Sequence, residues 1–142
     1  MITSVLPLLL VLIAIAVLGA TGNRWSSSPF VIAVQVAAVG LNFWARRSFQ
    51  KGTFRVTAAP GSRSIIRQGP YRVTRHPMYS AALLLVWSAV VSHVSVLTLA
   101  IGLAVTAVAI ARVFAEERLL VAEYPEYPGY ARSTKALVPF VF

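Results

Sequence analysis

Residues 76–111 read HPMYSAALLLVWSAVVSHVSVLTLAIGLAVTAVAIA, a run of 36 without one Asp, Glu, Lys or Arg. A bilayer core about 30 Å thick takes about 20 apolar residues per helical pass. A single helix of this length would overshoot that core by more than about 20 Å at about 1.5 Å per residue. The run is therefore expected to fold back at Ser92-His93-Val94-Ser95, although neither Gly nor Pro marks the turn. Two helices follow, one near 79–92 and one near 97–120.

The flanks extend this pattern. Residues 46–75 carry eight basic side chains and no acid: Arg46, Arg47, Lys51, Arg55, Arg63, Arg67, Arg72 and Arg75. Residues 1–45 hold a single charge, Arg24, and the tail from Arg112 onward balances four bases against all four acids. The first apolar block breaks at Gly19-Ala20-Thr21-Gly22-Asn23-Arg24 and Ser26-Ser27-Ser28-Pro29, which places helices near 2–18 and 30–45. The expected fold is all-α and integral to a membrane. Four transmembrane helices, a cytosolic loop 46–78 and a cytosolic tail 121–142 make one domain over 1–142. The basic loop sets the orientation, with both termini inside. A signal peptide is the competing account of the first 20 residues, but it needs a basic leading region, and no base precedes Arg24.

Composition excludes several classes. With 58% hydrophobic and 12% charged residues and a mean hydropathy of +0.75, the chain has about half the charge of a soluble domain. Disorder is excluded on the same ground. No cysteine is present, so disulfides, cysteine metal sites and thiol catalysis are excluded together, and no metal site is expected. The net charge of +9 is positive-inside bias and attraction to anionic headgroups. No recognition module interleaves these charges, so nucleic acid is not an expected partner.

Pro60-Gly61, Gly69-Pro70 and His76-Pro77 punctuate the basic loop more than an anchor would need. Pro77 suits a first helical turn, and His76 before it is pushed toward extended backbone. Arg75 and His76 then sit on non-helical backbone at the mouth of the third helix, with Tyr79 just inside. An interfacial Arg and Tyr anchor is the plainer alternative. Forty residues on, Arg112-Val113-Phe114-Ala115-Glu116-Glu117 returns to the same face, because a helix out and a helix back restore the depth. Arg112 and Glu116 share one helical face and can pair. Intramembrane charges of this kind face protein or water, although a snorkelling Arg112 accounts for the same pattern. Arg and His donors, a carboxylate and aromatic faces suit an amino-acid zwitterion or a sulfonium cation over a Tyr ring.

The string Gly-x-Tyr-x-x-x-Arg-His-Pro-x-Tyr at 69–79 resembles the signature of the membrane methyltransferases that include isoprenylcysteine carboxyl methyltransferase and the phospholipid N-methyltransferases. The Glu116-Glu117 pair, Tyr127-x-x-Tyr130 and Lys135-x-Leu137-Val138-Pro139 follow in the family's order. The resemblance covers about residues 45–142. It implies an S-adenosylmethionine-dependent methyltransferase, releasing S-adenosylhomocysteine, with a lipophilic acceptor entering from the membrane lipids. By the same resemblance Arg63, Ser64, Ile65, Ile66 and Tyr71 line the cofactor, much of the contact being through backbone. Arg75, His76, Pro77, Met78 and Tyr79 hold it from the motif, Glu116 takes its amino group, and Arg112 meets the acceptor. The sequence departs from the family at Ala81, where Gly is usual, at Arg63, often His, and at Lys135, often Arg.

Methyl transfer is an in-line displacement that needs positioning and exclusion of water. A carboxylate acceptor needs no base. An amine acceptor does, and Glu117 or His76 is the candidate. Arg112 suits a carboxylate or a lipid phosphate equally, so a phospholipid N-methyltransferase stays open beside the carboxyl branch. A lipid-binding scaffold without catalysis is a further alternative. A small transporter fits less well, since the first three helices contain no carboxylate. His93, Trp25, Trp44 and Trp87 read as structural, and Gly102, Ala104 and Thr106 as small residues for close helix packing. Tyr124-Pro125 and Tyr127-Pro128 point to an irregular tail folded over the site. Oligomeric state is left open.

Overall fold

In the computed structural model, residues 28–56 and 65–137 are described. The expected helix near 2–18 lies outside them. The first described helix, α1 (Pro29–Val56), opens with Pro29 in its first turn, where the missing N–H costs nothing. Its inward stripe is Val31, Gln35, Ala38, Ala45 and Ser48, one face of a 3.6-residue repeat. Phe30, Val36, Val39 and Phe43 point outward, as expected of a helix solvated by lipid.

α1 corrects the expected loop boundary. The helix runs on through Arg46 and Arg47 to Val56, whereas a loop is expected from residue 46. Arg, Lys and Gln are good helix formers, so the basic residues mark where the chain leaves the apolar layer and not where the helix stops. Chain direction changes later. A 3₁₀ turn spans Gly69–Arg72 and seats on α1 at Trp44 and Ser48. Gly69 adopts φ +60°, and a Cβ there would collide with Ser48 Oγ and lie 3.2 Å from Trp44 Nε1. Gly69→Ala is therefore expected to cost at least about 1–2 kcal/mol from the left-handed backbone alone, read as a lower unfolding temperature in detergent.

α2 (Pro77–Ser92) begins at Pro77, two residues ahead of the expected start, because proline is accommodated in the first turn. His76 before it has φ −124° and ψ 59°, non-helical as its place before proline requires. α2 packs chiefly on α1 and less extensively on α3. Ala81, Ala82 and Ser88 are buried on α2, as Ala38, Ala45 and Ser48 are on α1, and such small residues let backbones approach.

α3 (Val96–Glu123) returns antiparallel after the expected turn. The turn uses a capping box instead of Gly or Pro: Ser95 accepts from the Thr98 N–H, and Thr98 Oγ1 accepts from the Ser95 N–H at 2.9 Å. Thr98 Oγ1 also donates to the His93 carbonyl at 2.7 Å. Gly102 lies under Val90 and Trp87, and Trp87 Nε1 donates to Thr106 Oγ1 at 3.0 Å. Ala104 faces outward and takes no part in this contact. Pro29–Ser48 of α1 and the whole of α3 are long and apolar enough to cross a membrane, while α2 is a shorter apolar helix.

The tail is more regular than the two Tyr-Pro steps suggest. Pro128 falls in the first turn of a short helix, α4 (Tyr127–Ser133), where it fits. Beyond it, Lys135 forms a parallel β-bridge with Thr74. Tyr79, Ala109, Val113, Ala136 and Leu137 make one apolar cluster, which ties α2, α3 and the tail together beneath the motif.

Candidate active site

The motif loop is held by the tail along its backbone. Arg75 N–H donates to the Lys135 carbonyl at 2.7 Å, His76 N–H to Ala136 at 3.0 Å, and Lys135 N–H back to Val73 at 3.1 Å. Thr74 Oγ1 donates to the Ala136 carbonyl at 2.9 Å, and Ser80 Oγ to that of Leu137. Lys135 contributes backbone only, since its side chain is exposed. Tyr130 OH donates to the Tyr71 carbonyl at 2.6 Å, and Arg67 lies over the Tyr130 ring at 5.5 Å.

Arg75 joins three elements. Its Nε donates to Glu117 Oε1 at 2.6 Å, and its Nη1 to the carbonyls of Ala131 at 2.8 Å and Thr134. Glu117 Oε1 also accepts from Tyr127 OH at 3.4 Å and lies 3.3 Å from His76 Nε2. Glu116 faces a different set: its Oε1 accepts from Tyr79 OH at 2.8 Å and lies 3.9 Å from Arg112 Nη2. Its Oε2 is 3.7 Å from His76 Nδ1. The two turns of α3 that carry Arg112, Glu116 and Glu117 thus meet His76 at one depth, as the helix-out, helix-back count expects.

Three buried polar atoms here have no hydrogen-bond partner and no facing carboxylate: Tyr71 OH, Arg112 Nε and Arg46 Nη2. Orphaned donors in a buried site cost free energy unless something else occupies them. Burial pushes the Tyr71 hydroxyl far above its ordinary ionisation range, with Tyr130 adding to the shift and Arg46 opposing it. Burial likewise raises Tyr130 to about 12, against the pull of Arg75 and Arg67. Both phenols keep their protons in the fold while the unfolded chain ionises them near pH 10. The unfolded state then binds fewer protons, so stability falls as pH rises above that value. Unfolding temperature should drop between about pH 10 and about pH 12, with a slope approaching about 1.4 kcal/mol per pH unit per tyrosine, and Tyr130→Phe should flatten it.

Of the residues singled out from sequence, Tyr71, Arg75, His76, Tyr79, Arg112, Glu116 and Glu117 come together. Pro77 is buried at the start of α2, and Ile65, Ile66 and Met78 are half-buried nearby in sequence. Arg63 and Ser64 lie outside the described residues. Arg46 is the residue that sequence reasoning missed as a site candidate. Its Nε donates to Asn42 Oδ1 at 3.1 Å, one helical turn back. That Asn-x-x-x-Arg spacing inside an apolar helix is the signal that marks it.

A profile of the phospholipid methyltransferases matches residues 30–127, well over half the chain. The chain belongs to the phospholipid methyltransferase family. No curated protein and no solved structure gives a significant match. Phospholipid methyltransferases are enzymes of membrane lipids, and the two apolar helices agree with a membrane protein. The matched region runs from the start of α1 to Tyr127. It takes in Arg46, the motif, Arg112 and both carboxylates, and leaves out the tail segment at 134–137 that bridges to Thr74.

Proposed function

We propose that the protein is an S-adenosylmethionine-dependent methyltransferase acting on a lipophilic acceptor at the cytosolic membrane face. The acceptor is an isoprenylcysteine-type carboxylate or another small hydrophobic molecule. The observation that carries this reading is Glu116, flanked by Tyr79, His76 and Arg112, beside orphaned donors. A carboxylate next to unpaired N–H and O–H groups is what an amino-acid zwitterion requires, so the residues fit the cofactor's methionyl end. When bound, S-adenosylmethionine supplies an electrophilic methyl group on a sulfonium.

The chain's own residues bind and orient. Glu116 holds an ammonium, and the Tyr79 hydroxyl fixes the carboxylate that does so. Arg75 is a positioning residue, since its guanidinium is engaged by Glu117 and two tail carbonyls. Arg112 keeps a buried Nε without a partner and meets the acceptor's anionic group. Glu117 is held by Arg75 at 2.6 Å, which disfavours it as a base and favours an acceptor that is already ionised. The basic residues of segment 46–75 support a cytosolic orientation of this face, with membrane lipids as the partner.

Calorimetric binding of S-adenosylhomocysteine to purified protein tests the reading. Saturable binding is expected. Arg112→Ala should leave that affinity within about twofold while raising KM for a farnesylcysteine analogue at least about tenfold, the loss of one charged hydrogen bond. No binding by folded protein, in detergent and again in lipid, overturns the cofactor assignment.

A further inference from the structure

Arg46 and Tyr71 are not accounted for by the ammonium and acceptor roles above. Arg46 sits on α1, anchored through Nε to Asn42 Oδ1, and its Nη2 is buried with no partner. Tyr71 is 7% exposed, and its hydroxyl is also without a partner. The 3₁₀ turn that carries Tyr71 rests on Trp44 and Ser48 through Gly69, the residues that bracket Arg46 along α1. The Tyr71 hydroxyl lies within electrostatic reach of both Arg46 and Glu116. A guanidinium N–H and a phenol O–H, both buried and both without an acceptor, form a donor pair from two separate elements.

We infer that Arg46 and Tyr71 form an oxyanion seat on the α1 side of the site, which takes a carboxylate or phosphate oxygen. The inference rests on the proposed cofactor reading for one source of that oxygen. In an α-amino acid the carboxylate is one carbon from the ammonium, so a ligand held by Glu116 would present its carboxylate close to this seat. The headgroup of an anionic lipid offers the same chemistry from the membrane side. Arg46 is suited to either, because its planar fork stays charged and one arm is already fixed by Asn42.

The test uses the full chain in phosphatidylcholine nanodiscs as wild type, Arg46→Ala, Arg46→Lys and Tyr71→Phe. Each is titrated with S-adenosylhomocysteine and with its decarboxylated analogue. Each is also titrated with brominated phosphatidic acid, read by quenching of tryptophan fluorescence. If the oxygen is the cofactor's, Arg46→Ala and Tyr71→Phe lose about tenfold or more in affinity for S-adenosylhomocysteine and nothing for the decarboxylated analogue. If it is the lipid's, both nucleoside affinities hold and phosphatidic acid binding falls by a similar factor. Arg46→Lys recovers part of either loss. Unchanged binding of all three probes overturns the seat, and so does an equal loss for the two nucleosides, which would mean a structural role. Failure of the wild type to bind S-adenosylhomocysteine would remove the cofactor reading, leaving the lipid titration alone to decide the seat.

Discussion

Glu116→Ala is expected to lower affinity for S-adenosylhomocysteine about a hundredfold, equivalent to about 3 kcal/mol. The side chain is the acceptor for Tyr79 OH and lies near Arg112 and His76. Its removal deletes the partner of a ligand ammonium and leaves those donors facing one another. Glu116→Gln separates the two effects. The amide keeps an oxygen for Tyr79 but carries no charge, so the fold should survive while most of the binding is lost. His76→Ala is expected to weaken binding as well, because its ring stands between both carboxylates. Wild-type affinity in both alanine variants, with folding intact, would move the cofactor site elsewhere while leaving the family membership untouched.

Arg75→Ala should produce the largest loss of stability. One guanidinium satisfies Glu117 and the carbonyls of Ala131 and Thr134. Its removal leaves a carboxylate that is 23% exposed with only His76 and Tyr127 beside it. Removing one member of a partly buried, multiply bonded pair costs about 3 kcal/mol, or a fall of about 10 °C in unfolding temperature for a chain of this size. Cleavage by protease within residues 131–137 should accelerate in parallel. Arg75→Lys keeps the charge but not the fork and should recover less than half of the loss. If the unfolding temperature does not change, the tail is held by its backbone bridge alone.

The apolar helices were legible because lipid-facing segments need uninterrupted apolar residues, and the run 76–111 has them. The common depth of His76 and Glu116 followed from counting residues across that run. The end of α1 was not legible in the same way. Arg46 and Arg47 report a change of solvent, and a helix can continue across such a boundary. The i, i+4 contact of Arg112 with Glu116 was readable because it is local. The Arg75–Glu117 pair, 42 residues apart, was not, since no short-range rule chooses between adjacent glutamates. The bridge between Thr74 and Lys135 carries even less local signal. Its hydrogen bonds are made largely by main-chain groups, which every residue possesses.

That bridge has a consequence for the order of events during synthesis. Thr74 and its acceptor Ala136 are 62 residues apart, and ribosomes add about 5–20 residues per second. The loop bearing Arg75 and His76 therefore exists for about 3–12 s before the segment that pins it has been made. Partition of the apolar helices into lipid depends on residues already translated. Closure of the motif by the tail does not, and it bears the loop-closure entropy of a long-range contact. Insertion and site assembly are separate steps in time, and a nascent chain arrested before Thr134 would enter the membrane without acquiring a completed motif.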